Sequence, residues 1–420
     1  MRAVPSPEEA LPIERLAELV RQALSAPQLK EGEPDDGLPR LFLAGQDDKG
    51  LMIVILKHGQ DMYEMRVPSL SALATLAGPA LKPAREREAL ALPYQPRTWK
   101  SPEAADLGLD GEPRSAVHAG PTAQEVNGIS ALKGHAFAAA SYTCRGPTQE
   151  AQGIEYKPIN EDAVVLHARR GDVSAGRPEI VAVGAFDQAG GEGSVAENSG
   201  AASAAAARAF DETMRLVEGG GNAAEALRMA ITRASKAVHA LGVGAMTTFA
   251  AAVLVGQPEG EKWKCRAHVA VVGDSRVLLV GPSGEVRERT KLHNLGALIA
   301  AGEVADASPK MALRFANALS RSVGADNDDP DVFEWELQPG DRIVVETDGI
   351  GDAHEFEQLP DGTWHADICA DQQGRILAHA TTATDGVAML VGYALDQMAD
   401  GYGKPDNIGV VVAQVLGSPG

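Results

Sequence analysis

The residues in this sequence best suited to chemistry are carboxylates placed beside turns. The run Glu179-Ile-Val-Ala-Val-Gly-Ala-Phe-Asp187-Gln-Ala-Gly-Gly191 has the length and β-branched content of a buried strand, and it sets Asp187 at the strand end before a glycine turn. A lone aspartate there reads most simply as the former of an Asx-turn. The arrangement recurs, however. Glu161 and Asp162 precede one apolar run, Asp274 and Asp348 follow others, and Asp406 leads into the last. Adjacent buried carboxylates repel and need a cation beside them. If these strand ends meet in space, they form an all-oxygen site suited to Mg²⁺ or Mn²⁺.

The elements that must position these groups can be read from apolar patterning. Strands are expected at residues 135–143, 162–166, 179–187, 249–255, 265–272, 277–280, 332–337, 342–346 and 408–415. Ala-rich amphipathic helices are expected at 199–214 and 223–240, and another at 311–319, able to cover a sheet face. Before this domain, Ser6-Pro7-Glu8-Glu9 reads as a capped helix start, with a helix running to about Leu24. Strands at 51–56 and 62–67 and a short helix at 69–76 complete a small α+β module of residues 1–81. His58 is read as a solvated turn residue. Residues 82–130 are rich in Pro, Gly, Glu and Arg without an apolar period and read as a linker, with Tyr94 and Trp99 as its anchors. The remaining domain spans 131–418.

Composition narrows the function classes. A hydrophobic content of 44% can fill a large core, while 4% aromatics means that Ala, Val, Leu and Ile must build it. The formal net charge of −20 argues against a nucleic-acid or anionic-membrane partner. Cys144, Cys265 and Cys369 are scattered without metal-type spacing, so free thiols in a reducing, cytoplasmic compartment are expected. No run of apolar residues is long enough to span a bilayer.

Taken in order, Asn160-Glu161-Asp162, Phe186-Asp187-x-x-Gly190-Gly191, Thr247-Thr248, Val272-Gly273-Asp274-Ser275-Arg276, Thr347-Asp348-Gly349 and Asp406-Asn407-Ile408 resemble the PP2C-type (PPM) metal-dependent protein phosphatases over about residues 136–415. The resemblance implies an α-β-β-α sandwich of two antiparallel sheets flanked by helices, behind the small α+β module. It also implies a dinuclear Mn²⁺ or Mg²⁺ centre. In that carry-over Asp187 bridges two ions, Asp348 and Asp406 complete the second, Glu161 acts through a water and Asp162 sits in the same cluster. Asp274, with Asp348, holds a third ion in bacterial-type members. The activity implied is hydrolysis of phosphoserine and phosphothreonine in proteins, by a water that two divalent cations make acidic.

Three positions depart from the family pattern. Gln188 stands where the family has a glycine whose backbone carbonyl is a ligand, and a left-handed backbone there would cost glutamine about 1 kcal/mol. Ala189 stands where many members carry histidine. Lys157 matches the phosphate-gripping arginine with the charge but not the fork, and Arg145 is the expected substitute. The alternative function is therefore a catalytically weak relative kept as a regulatory binding module. Phosphoproteins are the expected substrates, and the N-terminal module is the expected seat of a regulatory partner.

Overall fold

The computed structural model describes residues 40–46, 52–58, 61–67, 95–97, 99–109, 113–119, 129–150, 153–156, 159–189, 200–216, 222–260, 262–300, 303, 318–351, 357–358, 364–365, 368–399 and 406–417. The strands are β1 (Arg40–Gln46), β2 (Met52–His58), β3 (Asp61–Val67), β4 (Ala104–Asp106), β5 (Arg114–His118), β6 (Ile129–Lys133), β7 (Phe137–Cys144), β8 (Pro147–Glu150), β9 (Gly153–Tyr156), β10 (Asp162–Arg169) and β11 (Glu179–Ala189). They continue as β12 (Met246–Thr247), β13 (Phe249–Glu259), β14 (Lys262–Val272), β15 (Arg276–Val280), β16 (Val286–Arg289), β17 (Asp331–Leu337), β18 (Arg342–Glu346), β19 (Glu357–Gln358), β20 (Trp364–His365) and β21 (Ile408–Val415).

Two seven-stranded sheets carry the larger of two compact units. The first runs β17-β14-β13-β11-β10-β5 with β12 paired to β11, and the second runs β16-β15-β18-β21-β7-β6-β4. Strand parity explains the near-continuous apolar runs, since both faces of each sheet are covered. Along β10, Val164, Leu166 and Ala168 face the inter-sheet core with Val181 and Val183 of β11 and Val345 and Val411 of the second sheet. Their alternates Ala163 and Val165 pack with Ala182 and Phe186 against the helices Ala201–Leu216 and Ala223–His239. The helices Ile368–Leu377 and Ala383–Ala399 cover the second sheet. The result is an α-β-β-α sandwich, as the resemblance implied.

Two expectations need correction. The pairing of β4 with β6 is parallel, whereas every other strand pair is antiparallel. Parallel neighbours need a crossover, and here the crossing chain is β5, which lies in the other sheet beside β10. The span 82–130 therefore holds β4, β5 and the start of β6 rather than linker alone. It showed no apolar period because short edge strands bury little. Leu107 and Leu109 reach the inter-sheet core from it. Trp99 anchors it as expected, with its ring 5.5 Å from that of Tyr142. Close by, the Arg97 N–H donates to Asp396 at 2.8 Å and Pro96 fits against Gly392.

The smaller unit, Met1–Leu90 with Ser308–Met311, contains the antiparallel meander β1-β2-β3. The sequence reading found β2 and β3 but not β1. The helices expected at 6–24 and 69–76 lie outside the described residues, as does most of 311–319; Leu319 itself forms a bridge with Asn294. No helix among the described residues is long and apolar enough to cross a membrane.

Candidate active site

Antiparallel register gathers the carboxylates at one end of the sandwich. Asp162 opposes Asp187 across β10 and β11. Arg276 opposes Glu346 across β15 and β18, so Asp274 and Asp348, each two residues beyond, leave that pair at the same end. Val410 opposes Glu346 and Ile408 opposes Cys144, which brings Asp406 to that end as well.

Two glycines make the approach close. A Cβ on Gly349 would lie 1.8 Å from the Asn407 carbonyl oxygen, and one on Gly146 would lie 1.7 Å from that of Asp406. The Asp406-Asn407 segment is thus pressed between two backbones that tolerate no side chain.

Hydroxyls lock the aspartates in place. The Asp187 N–H donates to Thr248 Oγ1 at 2.9 Å, and the Asp187 carbonyl accepts from the Thr248 N–H at 2.8 Å and from Thr247 Oγ1 at 2.7 Å. Thr248 Oγ1 in turn meets Ser275 Oγ at 2.6 Å, tying Asp187 to the Asp274 turn. Thr347 Oγ1 donates to Asp162 Oδ2 at 2.7 Å and accepts from the Gly409 N–H at 2.8 Å. The Thr-Thr and Thr-Asp-Gly motifs therefore hold strand ends together.

The electrostatics identify a cluster. The Asp187 carboxyl is raised well above the ordinary carboxylate value, by burial first and then by the charges of Asp348, Asp162, Asp406 and Asp274. Burial, and after it the charge of Asp162, pushes the Cys144 thiol up to about 12. Among the described residues no three His, Cys, Asp or Glu side chains are gathered into a finished ligand cage. By donor type and by charge the five aspartates fit a hard divalent cation, which prefers oxygen ligands and would relieve the repulsion.

Glu161 faces away from this group. Strand parity turns Asp162 and Asp187 toward the inter-sheet core, while Glu161 and Gln188 face the helix side. Gln188 Nε2 donates to Glu161 Oε1 at 3.2 Å, and Gln188 Oε1 accepts from the Ala202 N–H at 3.0 Å. Gln188 itself is a strand residue paired with Thr247. β11 runs two residues past Asp187 instead of turning there, so the left-handed backbone cost expected for glutamine does not arise. Arg145 adjoins Gly146 and hence the Asp406 end of the cluster. Lys157 lies outside the described residues.

Sequence reasoning missed His293. Its Nδ1 accepts from the Gly273 N–H at 3.2 Å, which leaves Nε2 to donate to Asp331 at 3.2 Å. Burial is the main influence on its pKa and lowers it, so the neutral imidazole braces the Gly273-Asp274 turn. Only its separation of 20 residues from Gly273 hid it.

No family model and no curated protein matches the chain. Among solved structures, the serine/threonine phosphatase of S. agalactiae is 20% identical, with 66% of this chain and 99% of that chain covered and a TM-score of 0.43. The catalytic domain of the serine/threonine phosphatase PstP with two manganese ions is 20% identical, with coverages of 67% and 99% and a TM-score of 0.42. Stp1 from Staphylococcus aureus is 20% identical, with coverages of 66% and 95% and a TM-score of 0.43.

Proposed function

We propose that the chain is a metal-dependent phosphatase acting on phosphoserine and phosphothreonine in proteins. The observation that carries this reading is the convergence of Asp162, Asp274, Asp348 and Asp406 on Asp187. Asp187, Asp348 and Asp406 would hold two Mn²⁺ or Mg²⁺ ions, with Asp162 beside them and Asp274 available for a third. Ions there would bring a water's pKa near neutrality and offset charge on the phosphate oxygens.

The chain's own residues supply rigidity and orientation. Thr247 and Thr248 hold the backbone on either side of the Asp187 side chain, and Thr347 fixes one oxygen of Asp162. Arg145, next to Gly146, is positioned by sequence to bring positive charge to a phosphate at the Asp406 end, with Lys157 as the second candidate. A reducing cytoplasm suits the free thiols of Cys144 and Cys265. The extended backbone of Gln188 takes away one of the three departures that favour a catalytically weak binding protein.

The test is hydrolysis of a phosphothreonine peptide by the full chain with Mn²⁺, with Mg²⁺ and with chelator, beside Asp187→Asn. Metal-dependent turnover that Asp187→Asn abolishes is the expected result. A folded protein with no turnover in any metal would overturn the reading in favour of a binding module.

A further inference from the structure

The side chain of Gln188 spans two elements. A backbone N–H must meet an acceptor and a carboxylate must meet a donor, so the bonds to Ala202 and Glu161 admit a single orientation of the amide. Ala202 lies in the first turn of the Ala201–Leu216 helix, where N–H groups have no partner within the helix. The Gln188 oxygen therefore does the work of a cap from a neighbouring strand. The same first turn grips Glu161 a second time, because Ser203 Oγ donates to the Glu161 carbonyl at 2.5 Å. The helix is no loose support. Phe210 on it packs against Phe186 and Phe249 of the sheet, with ring centroids 5.9 and 5.8 Å away.

We propose that the Gln188 amide is a positioning residue. It braces the Glu161 carboxylate against the helix start, one residue outside the cross-strand pair of Asp162 and Asp187, so that the affinity of the aspartate cluster for a divalent ion depends on a side chain on the opposite face of the sheet. The proposal rests on the metal-dependent reading above. Glutamine at this position then has a use of its own, since a glycine would leave both Glu161 and the Ala202 N–H without this partner.

Gln188→Met keeps the bulk of the side chain and removes its strong donor and acceptor. Calorimetric titration of the full chain with Mn²⁺ should show a dissociation constant about tenfold or more higher in Gln188→Met, the range typical of residues that orient metal ligands. In a Glu161→Ala background the same substitution should change the constant less than about twofold. Equal weakening in both backgrounds would overturn the proposal.

A second measurement needs no metal. Hydrogen exchange at the Ala202 amide should quicken about tenfold in Gln188→Met, given loss of a bond that protects it. Unchanged exchange there would also overturn the brace. A wild-type chain that takes up no Mn²⁺ would sink the metal-dependent reading instead, and the exchange result would then decide the brace alone.

Discussion

Replacing Gly349 by alanine puts a methyl group where the backbone of Asn407 already stands. The gap of 1.8 Å to the Asn407 carbonyl oxygen must open to at least 3.0 Å, a displacement of about 1.2 Å. Gly349 directly follows Asp348, and Asn407 directly follows Asp406, so the displacement separates two candidate ligands. A misplacement of about 1 Å commonly costs about 10²-fold in rate, and overpacking of this kind costs about 1–3 kcal/mol of stability. The assay is kcat/KM on a phosphothreonine peptide at saturating Mn²⁺, together with the urea midpoint. Gly349→Ala should lose about 10²-fold in kcat/KM while still folding. Gly417→Ala, where an added Cβ meets nothing within 4 Å, should match the wild type in both measurements. Wild-type kcat/KM in Gly349→Ala would refute the argument that this contact sets the spacing of Asp348 and Asp406.

Other perturbations test other parts of the structure. A carboxyl whose folded pKa is raised stabilises the native state at low pH and loses that contribution as pH rises through the folded value. In chelator, wild-type stability should therefore fall as pH climbs above the ordinary carboxylate range. Asp187→Asn should flatten that fall and melt higher than wild type at pH 8 in chelator, with the order reversed in Mn²⁺; a parallel pH slope in the two proteins would argue against the buried cluster. Glu179, with 0% exposure, accepts the N–H groups of His135, Ala136 and Phe137 at 2.8, 2.9 and 2.9 Å. Glu179→Gln turns an amide donor toward those donors and should cost about 2–3 kcal/mol in urea unfolding. Turnover per folded molecule should stay unchanged, because Glu179 is at the far end of β11 from Asp187. Arg276→Met strands the buried Glu346, whose Oε1 accepts from Arg276 Nε at 2.5 Å and from Gln373 Nε2 at 3.0 Å. It should cost about 3–5 kcal/mol, and adding Glu346→Gln should recover part of it; no recovery would mean that packing, not charge, sets the loss.

The legible parts of the fold are those where local pattern and burial agree. The strands at 342–346 and 408–415 stand where the apolar runs put them, because each is buried along nearly its whole length. The acidic cluster was legible for a related reason, since each aspartate interrupts or borders such a run. What the sequence concealed depends on neighbours. β4 and β5 carry few apolar residues and exist through pairing with β6 and β10. The brace from Gln188 to Ala202 and the contact of His293 with Gly273 join residues 14 and 20 apart through side chains, which no periodicity records. The sharp turn expected after Asp187 failed because Gln188 and Ala189 found partners in Thr247 and Met246, and pairing prolonged the strand.

The place of β5 matters for anyone dividing this chain. β10 carries Asp162 at its start, and its outer ladder is occupied by His118, Ala116 and Arg114 opposite Val164, Leu166 and Ala168. A fragment begun at residue 131, as the apolar pattern invites, would strip that neighbour away. The strand next to the acidic cluster would become a bare margin, apolar on both faces and lined with unsatisfied backbone groups. Such margins recruit strands from other molecules. The trimmed protein would self-associate along β10, and any change in its metal uptake or turnover would then report a missing seam and not the acidic cluster.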